Sequence, residues 1–180
     1  MTALPAWRRL GLAVVAILVS AWTLRAPLAG GLVLRGDGCL YRAHPGAALG
    51  YYRRAIWFAP DEMLAVDRFA FVAMTLRDRA ALRVGIQLAS AYLRRHPGDD
   101  VVRMDRAMAY RAAGDPADAL PDFAEVGRRT NDARAFAFAG FAADSIGRRA
   151  RARAFWHAAL ALVPGFPVAK HALARTSGVP

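Results

Sequence analysis

The chain has 180 residues, 56% of them hydrophobic, with 25 basic residues against 14 acidic ones and a net charge of +11. One cysteine, Cys39, excludes an internal disulfide. The charge does not build a nucleic-acid surface: residues 1–42 hold five arginines and one aspartate, the remainder 20 basic and 13 acidic residues, and Lys170 is the single lysine, an arginine bias that a GC-rich bacterial genome explains more simply than phosphate recognition.

The first element is the run Leu10 to Leu24, LGLAVVAILVSAWTL, uncharged, with Arg8-Arg9 before it and Arg25 after it. At about 1.5 Å per residue it spans only ~22 Å, short of the ~30 Å hydrocarbon core of a bilayer. Two readings compete. As a secretory signal peptide it has the right basic start, but a cut after Ala29 would place Pro27 where a small residue is wanted. As an uncleaved signal anchor it is extended by Ala6 and Trp7, with Trp22 at an interface and Arg25 snorkelling toward water. A buried helix of a soluble protein is the remaining alternative. A short basic leading tail favours a periplasmic location for the rest of the chain, although Arg25, Arg35 and Arg42 keep the charge comparison from being one-sided. The expected division is an anchor over 1–25, a tether over 26–44 and a helical domain over 45–180. The tether carries Cys39 in Gly36-Asp37-Gly38-Cys39-Leu40, without a lipoprotein cleavage box before it.

Beyond the tether the chain is predicted all-helical, since no alternating apolar runs bounded by hairpin turns occur. A lone helix is expected over Pro45 to Phe58, three helical pairs between Asp61 and Val163, and a closing helix over Val168 to Arg175. A small-and-bulky signature recurs: Ala48, Tyr52, Ala55 and Pro60; Leu82, Ile86 and Ala89; Ala119, Phe123 and Val126; Ala152, Trp156, Ala159 and Pro164. The copies begin 34, 37 and 33 residues apart. Steps of four and three keep these side chains on one helical face, where a small residue admits the neighbouring helix and a bulky one fills the space beside it. A period near 34 marks a helical solenoid, in which each unit hides its apolar face only against its neighbours. Pro97 ends the second copy, and Asn131-Asp132 forms a stop-and-cap pair in the third. The final helix, with Lys170, His171 and Arg175 among Ala169, Ala172 and Leu173, reads as the polar cap of the array.

The partner helices upstream carry Ala70, Ala107 and Gly140 at their centres, and Arg77-Asp78, Gly114-Asp115 and Gly147-Arg148 mark the turns. Together these residues resemble the tetratricopeptide repeat superfamily, with Ala107 to Val126 the best match and the unit from Met63 the poorest, over roughly residues 46 to 176. The resemblance implies an all-α solenoid of about three repeats, with a leading and a capping helix, behind an N-terminal transmembrane helix. It also implies that the first helix of each pair lines a groove, with the residue after the small central position pointing into it. Those residues are Phe71, Met108 and Phe141, accompanied a turn away by Asp67 and Met74, Met104 and Arg111, Ala137 and Asp144. Such an apolar stripe edged by charge suits a helix or extended peptide; the competing reading is that neighbouring helices cover it.

No catalytic constellation is present. His44, His96, His157 and His171 fall in different elements without metal-ligand spacing, and His96 is expected to cap carbonyls at a helix end. Gly30-Gly31 and Gly36 to Gly38 lack the flanking strand and helix of a phosphate loop. The arginine pairs at 53–54, 94–95, 128–129 and 148–149 are read as solvated faces or partners of helix C-terminal dipoles. No catalytic, metal or cofactor residue is expected, nor a nucleic acid or small-molecule substrate. The expectation is a non-enzymatic, membrane-tethered protein-interaction module, an accessory subunit, scaffold or assembly factor of a bacterial inner-membrane complex, single-pass with the repeats periplasmic. The alternative is a secreted or periplasmic soluble binding protein released by cleavage.

Overall fold

The computed structural model describes residues 6–177, and every regular element among them is a helix: α1 (Ala6–Tyr41), α2 (Pro45–Phe58), α3 (Met63–Leu76), α4 (Arg79–Arg95), α5 (Asp100–Ala113), α6 (Pro116–Thr130), α7 (Ala133–Ser145), α8 (Arg149–Leu162) and α9 (Pro167–Ser177). The chain divides into two compact units, residues 1–65 and 66–180.

In the first unit, α1 runs unbroken for 36 residues, through Pro27 and past the glycines at 30, 31, 36 and 38. Most of the stretch expected as a tether is therefore helix. A proline inside a helix forfeits one backbone hydrogen bond, and here packing outweighs that loss. Ala29 and Val33 are 0% and 2% exposed, and together with Gly36 and Cys39 they form a buried face spaced by four and three residues. Nor does α2 stand alone, because it returns antiparallel along that face. A Cβ on Gly36 would lie 2.4 Å from Tyr52 Cε1, so only glycine admits this approach without a shift of the ring. The Tyr52 hydroxyl donates to Asp37 Oδ1 at 2.7 Å. Arg25 Nε donates to the Phe58 carbonyl at 2.8 Å and closes the end of α2.

In the second unit, α3 to α9 pack in sequential order. Phe69 and Ala70 of α3 meet α4 at Gly85, and each later helix packs on the next. Most of the repeat signature lies inside: Leu82, Ala89, Ala119, Phe123, Val126, Ala152, Trp156 and Ala159 are buried, while Ile86 is half-buried. At Gly140 the glycine is again obligatory, because a Cβ would overlap the Trp156 indole. Local chemistry starts and stops the helices. Asp78 accepts from the amides of Ala80 and Ala81, Asp99 from those of Val101 and Val102, and Asp132 from that of Arg134. Gly114 and Gly147 take positive φ after α5 and α7. Arg77 (φ 52°) and Asn131 (φ 51°) make the equivalent turns without glycine. On α9, Ala169 and Ala172 face inward while Lys170, His171 and Arg175 face solvent.

One polar link runs through this apolar stack. Asp122 on α6 is 5% exposed, and Arg106 on α5 holds it bidentately, Nε to Oδ2 at 2.7 Å and Nη2 to Oδ1 at 2.8 Å. Arg106 also donates to Ser90 Oγ of α4 at 3.2 Å, so one guanidinium ties three successive helices. The same pairing holds the Arg106 pKa above its ordinary value, chiefly through the hydrogen bond to Asp122.

Candidate partner-binding clefts

A cleft of about 560 Å³ in the second unit is lined by Phe71, Met74, Thr75 and Arg77 on and after α3 and by Met108, Arg111 and Ala112 on α5. The sequence of α3 and α5 explains the arrangement. Ala70 and Ala107 are spent on helix packing, with 1% and 0% exposure, so the next residue on each helix turns outward. Phe71 is 55% exposed and Met108 is half-buried. The guanidinium of Arg111 lies 4.9 Å from the centre of the Phe138 ring, a cation–π contact that orients it. An apolar floor with Arg77 and Arg111 at its edge suits an apolar side chain followed by an acidic group.

The other residues of the expected stripe lie elsewhere. Ala137 is 2% exposed and offers no surface. Phe141 is half-buried and packs edge-on against Trp156, ring centres 5.7 Å apart. Asp144 lines a smaller cleft of about 340 Å³ with Arg149, Arg175 and Thr176. Met104 lines a third, about 310 Å³, with Val126, Thr130 and the starts of α5 and α7. Asp67 faces Asp105, a residue the sequence pattern did not single out. Burial, then the charge of Asp67 and a hydrogen bond to it, then the charge of Asp99, push the Asp105 carboxyl up to about 7.

Some of the polar residues sit where the sequence places them and others do not. The His96 ring stacks on Tyr92, centres 4.6 Å apart, while the His96 backbone amide closes α4 on the Tyr92 carbonyl. Arg94, Arg95, Arg128 and Arg129 occupy last turns, where the helix dipole is negative. Arg148 and Arg149 instead begin α8, so the dipole argument does not cover them. Cys39 is buried. Among the described residues, no three His, Cys, Asp or Glu side chains converge on one point.

No family model and no curated protein sequence matches the chain. Solved structures do. The crystal structure of MamA superposes with a TM-score of 0.67 at 15% identity, over 76% of this chain and 79% of that one. MamA from Desulfovibrio magneticus RS-1 gives 0.64 at 18% identity over 76% of each chain. A tetratricopeptide repeat protein from Parabacteroides merdae ATCC 43184 gives 0.67 at 15% identity, over 82% of this chain and 58% of that one. The fold is tetratricopeptide-like. At these identities the likeness is one of architecture, and architecture alone does not specify a function. In the TPR-like second unit, the exposed residues left over from helix packing are the candidate surface, and Phe71, Met74, Met108 and Arg111 are the ones gathered into a single cleft.

Proposed function

We propose that the chain is a membrane-tethered TPR-like interaction module, an accessory subunit, scaffold or assembly factor of a bacterial inner-membrane complex, with its repeats in the periplasm. The observation that carries this reading is the continuity of α1. Its first half presents Leu10, Leu12, Ile17, Leu18 and Trp22 at 60% exposure or more. It is the one helix among the described residues long and apolar enough to cross a membrane. The second half is the packed partner of α2. The bond after Ala29 lies inside this helix beside a fully buried side chain, so signal cleavage there would strip the hairpin of Ala29 and of the Arg25 bond to the Phe58 carbonyl. That favours the anchor over the released protein. Leu10 to Leu24 then covers ~22 Å at about 1.5 Å per residue, and Trp7 on one side and Trp22 to Leu28 on the other carry the apolar stretch into the interfaces. The periplasmic side rests on Arg8-Arg9 ahead of the span.

The partner is a protein segment, helical or extended, placing an apolar side chain against Phe71 and Met108 and an acidic group near Arg77 or Arg111. The test is crosslinking in native membranes, purification in mild detergent and identification of what co-purifies. A recurring membrane protein lost on Phe71→Ala with Met108→Ala supports the reading. Unchanged recovery with the double variant removes the cleft from it, and a mature N-terminus beginning near residue 30 removes the anchor.

A further inference from the structure

We propose that the end of α2 is a second membrane contact: Trp57, beside Trp22 and Leu28 of α1, lies in the headgroup layer of the bilayer that α1 crosses, with Arg25 between them facing lipid phosphate. This rests on the tethered reading and adds a fixed point to it.

Trp57 is 75% exposed, Trp22 71% and Leu28 52%. These are costly side chains to leave in water, and they surround one apolar cleft of about 570 Å³, with Leu18 and Phe58 completing its walls. The cleft adjoins the stretch of α1 whose large apolar side chains are exposed all round, so the same lipid that receives Leu18 reaches the cleft. Indoles favour this depth because the ring is apolar and the N–H polar. Arg25 fixes the geometry. Its Nε holds the Phe58 carbonyl at 2.8 Å, setting the last turn of α2 level with residue 25, and its guanidinium lies 4.6 Å from the centre of the Trp22 ring. Among the described residues its partners are this carbonyl and this ring, with no carboxylate paired to its charge, and anionic headgroups supply a counter-ion. The opposite end of the hairpin, at Tyr41, is 94% exposed and about 24 Å further along α1, well clear of the surface. With two points held, the α1–α2 hairpin stands at a set height and cannot swivel as a singly anchored one would.

The test uses the full chain with Cys39→Ala, carrying one new cysteine through Trp57→Cys, Leu28→Cys, Leu18→Cys or Tyr41→Cys. Each is labelled with an environment-sensitive fluorophore and reconstituted into phosphatidylglycerol–phosphatidylethanolamine vesicles containing nitroxide lipids. The expected result is loss of fluorescence at 57 and 28, stronger with the nitroxide near the headgroup than deep in the chain. Position 18 shows the reverse order and position 41 shows no loss. Positions 57 and 28 behaving like 41 while 18 is quenched overturns the second contact and leaves the anchor standing. No loss at 18 either overturns the anchor, and this inference with it. Leu28→Cys reports on the same cleft should Trp57→Cys fold poorly.

Discussion

The same substitution, five residues apart in one helix, should have opposite signs. At Gly31, which is exposed and has nothing within 4 Å of an added Cβ, Gly31→Ala gains helix propensity and should stabilise by roughly 0.5–1 kcal/mol. At Gly36 the added methyl would come within 2.4 Å of the Tyr52 ring edge. That ring is 0% exposed and its hydroxyl is held by Asp37 at 2.7 Å, so it cannot move aside without losing a charge-assisted hydrogen bond. Overpacking costs roughly 1–3 kcal/mol and a weakened bond to a charged acceptor about 1 more. Against a propensity gain of about 1 kcal/mol, Gly36→Ala should destabilise the hairpin by a net ~1–3 kcal/mol. Amide hydrogen exchange across residues 46–58 in the reconstituted full chain reads this directly, as faster exchange for Gly36→Ala and unchanged or slower exchange for Gly31→Ala. Tyr52→Leu in the Gly36→Ala background should recover part of the loss by vacating the space. If both glycine substitutions stabilise, Gly36 does not face Tyr52, and residues 26–41 are a tether after all.

Asp122→Ala should cost about 2–4 kcal/mol in denaturant unfolding, because it strands Arg106, whose side chain is 20% exposed, without its buried partner; Arg106→Met with Asp122→Leu should recover most of that loss. Asp105 binds a proton more tightly folded (pKa about 7) than its ordinary value of 3.8, so the folded state holds the extra proton between those limits. The Asp105 contribution to stability should then be greatest below about pH 4, fall as pH rises toward 7 and level off above it, and Asp105→Asn should abolish ~1–3 kcal/mol of that fall when its thermal melts are compared with wild type across the range. Phe71→Ala with Met108→Ala should lower recovery of a crosslinked partner about tenfold, the equivalent of ~1.4 kcal/mol. Phe141→Ala should leave recovery closer to wild type, its ring being engaged with Trp156.

Local punctuation made most of the array legible. Proline at the first turn of α2 and Pro60 just beyond its end bound that helix unambiguously, and the Asp and Gly turns did the same from α4 to α7. The second half of α1 was not legible by those signals, because Pro27, Gly30-Gly31 and Gly36-Asp37-Gly38 all read locally as breaks. A longer-range register contains it. Gly36 lies 34 residues before Ala70 and 16 before Tyr52, and 16 also separates Ala107 from Phe123 and Gly140 from Trp156. Burial along that register overrides local propensity. Arg106 and Asp122, each one residue before the Ala107 and Phe123 of that spacing, were findable by the same rule. For the candidate site, the adjacency of Phe71, Met74, Met108 and Arg111 follows from the residue after each small central position. Phe141 departs because its neighbour is Trp156, large enough to hold the ring edge-on, a side-chain volume effect that periodicity does not encode.

A cleft whose apolar floor is one phenylalanine and two methionines cannot by itself hold a partner tightly, since association first has to offset several kcal/mol of lost translational and rotational freedom. The proposed anchor changes that balance. A partner embedded in the same bilayer meets the cleft at an effective concentration of order mM, and binding becomes nearly intramolecular without any new contact. Occupancy should therefore depend on sharing a membrane more than on total protein concentration. In vesicles carrying both proteins, crosslinking yield should survive dilution of the vesicles, whereas the same pair in detergent micelles should lose most of its crosslinks over an equal dilution. A yield that tracks dilution equally in both preparations would mean that the anchor contributes nothing to capture. A yield unchanged in both would mean a tight interface, one that the cleft at Phe71 and Met108 is too small to supply.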